Sequence, residues 1–133
     1  MENNTLLVQL TTKINGILYF SESEYPLTIE QWGVVPPTEV QPKIAALNNV
    51  SPDLLKSVAA DAFFSHIITA ADPNDTPIVE NAQKFKALQQ FLQENLTNIQ
   101  VTRVEAGSSI PVYITANQPD GTCIALITTA IES

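Results

Sequence analysis

Apolar positions recur at helical spacing near the start of the chain. Leu6, Leu7, Leu10, Ile14 and Ile17 fall three or four residues apart and predict a helix over residues 4–15. Asn4 or Thr5 is placed to cap its start, and Asn15-Gly16 to stop it. Residues 17–20 are a short apolar run that enters Ser21-Glu22-Ser23-Glu24-Tyr25-Pro26, too polar for a core and read as a surface turn. Residues 27–35 alternate loosely, with Ile29 and Trp32 as anchors, and predict a strand. Pro36-Pro37 ends it, because proline has no N–H to give to a ladder.

Residues 38–60 are less decided. Residues 42–49 suit a short helix with Ile44 and Leu47 inward, and Ser51-Pro52-Asp53 has the cap and first-turn chemistry of another. Val58, Phe63 and Phe64 need burial. Residues 69–77 are rich in turn formers and read as an exposed loop. Residues 77–97 carry the clearest pattern. Val79, Ala82, Phe85, Leu88, Leu92 and Leu96 form one stripe, with Lys84, Lys86, Gln89, Gln93 and Glu94 over much of the remainder. Thr76 is the expected cap, with Pro77 in the first turn.

The pattern then changes to period two. Ile99, Val101, Arg103 and Glu105 share one face of a strand, and Gln100, Thr102 and Val104 the other. Residues 110–116 and 122–131 are two further strands, joined by the turn signal Gln118-Pro119-Asp120-Gly121. Three strands with short links imply an antiparallel meander. The last is so apolar that helices should cover it. The fold class is therefore α+β, a helix-covered antiparallel sheet in one domain spanning residues 1–133.

Charge adds the first functional information. Fourteen acidic side chains face six basic ones, for a net charge of −8. This argues against direct nucleic-acid binding, which needs Lys and Arg to displace counterions from phosphates. It favours a basic protein partner, or no more than solubility. No segment is apolar enough to span a bilayer, the N-terminus lacks a basic leader, and the single cysteine, Cys123, forms no intrachain disulfide. These features suggest a cytoplasmic protein, in which the sequons at Asn3, Asn74 and Asn95 carry little weight.

Candidate chemistry is sparse. The one histidine, His66, lies beside Phe63 and Phe64 and reads as a structural side chain. Ser65 next to it makes no triad, since neighbours on a strand point to opposite faces. One His and one Cys do not make a zinc site. Four scattered glycines (Gly16, Gly33, Gly107, Gly121) supply no phosphate-cradling or dinucleotide loop. Glu22 and Glu24 are too solvated to act as an acid–base pair. No enzyme is expected, and no cofactor. What remains are acidic groups on turns: Glu22 and Glu24, Asp72 and Asp75 in the 69–77 loop, and Glu132 with the α-carboxylate of Ser133. Taken singly each is an ordinary solvated group. Together they suit arginine forks and metal ions.

Several blocks carry a resemblance. Phe20-Ser21-Glu22-Ser23-Glu24-Tyr25-Pro26 with Trp32 resembles the signature of the cyanobacterial nuclease A inhibitor family. So do Asp61-Ala62-Phe63-Phe64-Ser65, Lys84-Phe85, Asn95-Leu96-Thr97-Asn98, Gln100-Val101 with Arg103, Val112-Tyr113-Ile114 and the ending Thr128-Thr129-Ala130-Ile131-Glu132-Ser133. These blocks keep the family's order from about residue 15 to 133. The resemblance implies an α-β-α sandwich of the PR-1-like type. It also implies 1:1 inhibition, by a monomer, of a Mg²⁺-dependent nuclease that cuts DNA and RNA alike. By the same resemblance Glu22 meets an active-site arginine of that nuclease, and Ser133, a threonine in the family, reaches the nuclease's metal. A loop tryptophan that follows an aspartate in the family is absent here: Asp72 matches, but Pro73 follows it. A buried interfacial Trp is often worth about 2 kcal/mol, so Pro73 implies weaker binding or another basic partner for the same fold. Residues 105–107 and 124–127 also depart from the family pattern.

Overall fold

The computed structural model describes residues 2–132, with side chains from residue 6 onward. Helix α1 spans Glu2–Ile14. It begins earlier than expected, and the side chains of Asn4 and Thr5, the expected caps, lie outside the described residues. Leu10, Ile14 and Ile17 are buried, and Gly16 leaves the helix at φ +82°, a conformation that costs glycine little.

The serine- and glutamate-rich segment is more ordered than a plain turn. Strands β1 (Leu18–Phe20) and β2 (Glu24–Pro26) form a small antiparallel hairpin around it. Strand β3 (Thr28–Val34) follows, then α2 (Val40–Asn48), β4 (Leu55–Val58), α3 (Ala60–Thr69) and α4 (Thr76–Asn95). The chain ends in β5 (Thr97–Val104), β6 (Ser109–Asn117) and β7 (Thr122–Ile131). The expected meander forms, and β3 and β4 extend it into a five-stranded antiparallel sheet of order β3-β7-β6-β5-β4.

Neighbouring residues on β6 explain the layering. Val112 and Ile114 pack with α1, α3 and α4 through Leu10, Phe64, Phe85, Leu88 and Leu92. Tyr113, between them, points the other way and packs with Val40 and Ile44 of α2. The sheet is thus covered on both faces, which is why β6 and β7 read as almost continuous apolar runs. In β3 a bulge at Trp32–Gly33, with Gly33 at φ +71°, changes the side-chain parity; Ile29 joins the three-helix face while Trp32 and Val35 join that of α2.

Five local expectations are corrected. Leu47 does not point inward. It is 54% exposed, because α2 buries the Val40–Ile44 edge one turn apart. Ser51-Pro52-Asp53 starts only a 3₁₀ turn, Pro52–Leu54, with the Asp53 N–H donating to Ser51 Oγ at 3.4 Å, before β4 begins. Residues 60–69 are a helix and not a strand; Phe63, Phe64, Ile67 and Ile68 make its inner face, and Ser65 and His66 fall on the outer one. His66 is therefore exposed and not a core histidine. Finally, Asp75 rather than Thr76 caps α4: the Ile78 N–H donates to its Oδ1 at 3.3 Å.

Candidate partner-binding site

The acidic turn meets the end of β7. The Ile131 N–H donates to Ser21 Oγ at 2.8 Å, and the Glu22 N–H donates to the Ile131 carbonyl at 3.1 Å. Within the turn the Ser21 N–H donates to the Ser23 carbonyl at 2.9 Å. On the far side the Glu132 N–H donates to the Ser108 carbonyl at 2.8 Å. The last strand therefore leaves the sheet between two loops, and Glu22 and Glu132 stand on the same edge of the molecule.

The hairpin is fixed from the helical side too. Asn81 of α4 is buried, and its amide faces the backbone of Leu18. Nδ2 donates to the Leu18 carbonyl at 2.7 Å, and Oδ1 accepts from the Leu18 N–H at 2.9 Å. Asn81 thus substitutes for a neighbouring strand along the free edge of β1. Tyr19 stacks on Phe63, ring centroids 5.8 Å apart, which ties β1 to α3.

Between hairpin and helices lies an open cleft of about 370 Å³. Ser21, Glu22 and Glu132 form part of one wall, His66, Ala70 and Ala71 part of another, and Phe85 and Ile78 supply apolar lining. Asp72 directly follows the lining residues Ala70 and Ala71, and Asp75 precedes Ile78 by three positions. Both aspartates are exposed and hold their loop: Asp72 Oδ1 accepts from the Asn74 N–H at 2.9 Å, and Asp75 caps α4. Glu24 is exposed at the start of β2, paired in register with Phe20, and does not line the cleft. Ser133 lies outside the described residues. Of the predicted acidic residues, Glu22 lines the cleft, Asp72 and Asp75 are only near lining residues in sequence, and Glu24 does not line it.

Arg103 was placed by periodicity on the same strand face as Val101, but its role was not legible. Its Nη2 meets Glu132 at 2.7 Å and its Nε meets Glu105 at 3.0 Å. Burial works against its charge, but the hydrogen bonds to Glu132 and Glu105 outweigh this and hold its pKa above the ordinary value. Tyr19 nearby has its phenol pKa raised, chiefly by burial, with Arg103 pulling the other way. The thiol of Cys123 is buried against α2 and pushed up by desolvation, as expected of an inert core cysteine. Among the described residues no three His, Cys, Asp or Glu side chains gather in a metal-binding group, and no helix is long and apolar enough to cross a membrane.

The fold is an antiparallel α+β one, a helix-covered sheet with acidic side chains on its turns. The chain belongs to the family described as NuiA, Nuclease A inhibitor-like protein, whose model matches residues 4–133. Inhibition of a nuclease is the general activity this membership suggests, and a nuclease the general partner. No curated protein matches the chain.

Proposed function

We propose that this protein inhibits a Mg²⁺-dependent, sugar-non-specific endonuclease by occupying its nucleic-acid site, and is not itself an enzyme. In this reading Glu22 and the end of the chain take the places of substrate phosphates. Glu22 pairs with an arginine of the nuclease, and Ser133, through its hydroxyl and carboxylate, approaches the nuclease's metal. Glu24, Asp72 and Asp75 add to the field that steers a basic cleft onto this edge. The unit is one domain over residues 1–133, a cytoplasmic monomer that binds its target 1:1. The helix–sheet–helix layering supports the PR-1-like assignment.

One observation carries the reading. Ile131 exchanges two hydrogen bonds with Ser21 and Glu22, which fasten the acidic turn to the end of β7 and support its presentation as a preformed surface. A rigid surface loses less conformational entropy on docking than two independent loops.

The test is a plasmid and RNA degradation assay with a Mg²⁺-dependent non-specific endonuclease from the same organism, titrated with this protein at low and high salt. Cleavage should be lost stoichiometrically at low salt and less effectively at high salt, because exposed charges are screened. Glu22→Ala, and separately one residue added after Ser133, should each raise the inhibition constant roughly tenfold or more. If both variants inhibit like the unaltered chain, the acidic-plug mechanism is wrong. Pro73 favours a second reading, in which the same fold binds a different basic protein. Full cleavage in the presence of excess unaltered protein would decide for it.

A further inference from the structure

Arg103 occupies a position that the strand otherwise gives to apolar residues. It continues the face of Ile99 and Val101, which pack against the three-helix core, and its side chain is only 15% exposed. Desolvating a guanidinium there is costly, and both of its partners, Glu105 and Glu132, are substantially exposed. Ion pairs of that kind contribute little to stability. Geometry gives a better reason for the arrangement. Glu105 follows β5 and Glu132 follows β7, and the whole of β6 separates those strands. One guanidinium fork therefore ties the exit of β5 to the exit of β7. An arginine does this better than a lysine, because its planar fork presents donors in fixed directions to both carboxylates. The Glu132 backbone is fastened separately, to Ser108. Main chain and side chain of the last described residue are thus both held.

We infer that Arg103 is a positioning residue for the end of the chain. Through Glu132 it sets the direction in which the chain leaves β7 beside the Glu22 turn. This rests on the reading above, in which the chain's end meets the nuclease. Arg103 itself need not touch the partner.

The test compares Arg103→Met, Arg103→Lys and Glu132→Gln with the unaltered protein, each in the full chain and in a chain lacking Ser133. The first readout is backbone order of the free protein, from ¹⁵N heteronuclear NOEs at Ile131 and Glu132. R103M and E132Q should lower these values while those of β6 stay constant, and R103K should retain part of the order. The second readout is the inhibition constant against the Mg²⁺-dependent endonuclease. R103M and E132Q should each raise it roughly tenfold in the full chain and change it little once Ser133 is absent, since coupled residues do not add. Unchanged order in R103M and E132Q overturns the inference, as does an equal loss of inhibition in the shortened chain. Should R103M fail to fold, E132Q, altered at an exposed position, makes the same comparison. If the unaltered protein does not inhibit, the proposed function falls, and the NOE readout alone decides whether Arg103 fixes the end of β7.

Discussion

Asn81 offers the sharpest test of how the acidic hairpin is held. Asn81 is 9% exposed, and its side chain supplies both hydrogen bonds to the outer edge of Leu18, at 2.7 and 2.9 Å. Asn81→Leu keeps most of the volume and removes both bonds. The Leu18 N–H and carbonyl are then stranded, and an unsatisfied buried group costs about 1–3 kcal/mol. Leu18 is only half-buried, so water recovers part of this, and the expected loss is about 2–3 kcal/mol in total. For a chain of this length that corresponds to a fall in Tm of about 6–10 °C. Asn81→Asp separates the two bonds, because it keeps an acceptor and loses the donor that faces the Leu18 carbonyl. Its neutral acid can donate there and its carboxylate cannot, so the folded state should raise the new group's pKa. The stability of N81D should then be greatest below the ordinary carboxyl range of about 4 and be lost as pH rises through the folded value. Urea denaturation, followed by tryptophan fluorescence across pH, measures both effects. A loss under about 0.5 kcal/mol in N81L, with an unchanged denaturant slope, would show that the hairpin does not depend on this amide.

The alkaline limb and the α4 cap give two more predictions. Burial raises the pKa of the Tyr19 phenol above 10.0 and of the Cys123 thiol above 9.0, so the unfolded chain gives up both protons first. Stability should be fully present below these ordinary values and fall as pH rises through the folded ones, by up to about 1.4 kcal/mol per pH unit for each group. A stability that stays flat from about pH 8 to about pH 11 in urea denaturation would contradict this, and Cys123→Ala should remove the thiol's share. Asp75→Ala should lose about 1 kcal/mol of stability with the cap, whereas Asp75→Asn keeps a capping oxygen and loses only charge. Weaker inhibition by D75N at unchanged Tm would assign the charge to binding, and equal inhibition would leave Asp75 a cap alone.

The sequence carried most of the architecture because most elements announce themselves by period. The stripe on α4 and the turn Gln118-Pro119-Asp120-Gly121 closed the meander correctly; there the Gly121 N–H donates to the Gln118 carbonyl at 2.9 Å, with Gly121 at φ +90°. Helix α3 was misread because Phe63-Phe64 and Ile67-Ile68, broken only by Ser65-His66, form a short apolar run, in which helix and strand look alike. Strand β4 was missed for a related reason: its residues are only partly buried at a sheet edge and show no strong alternation. The candidate site was legible as acidic turns but not as an assembly. The Ser21–Ile131 bond joins residues 110 positions apart, and no local pattern reports it. Asn81 and Arg103 did leave a signal, each being a polar residue on a face that otherwise buries apolar ones. Such residues must find partners inside, and those partners are the positions that shape the site.

The assembly itself follows from strand register. Thr28 lies opposite Ile127 in the antiparallel β3–β7 pair, so going back along the chain from β3 means going forward along β7. Strand β2 therefore runs beside the last residues of β7, where the Thr128 hydroxyl donates to the Tyr25 carbonyl at 3.4 Å. The turn that reverses β2 into β1 then reaches the end of β7 at Ile131. Ser21 at that point is short enough to accept from the strand's backbone, which leaves the next side chain, Glu22, on the outer edge. A slip of one residue between β3 and β7 would turn every side chain of β3 to the opposite face, exposing Ile29 and misplacing Trp32. The cores on both faces of the sheet thus lock the register, and the register in turn brings an acidic turn to the end of β7. On this argument the geometry of the site is a consequence of the packing of Ile29, Trp32 and their neighbours, none of which needs to meet a partner.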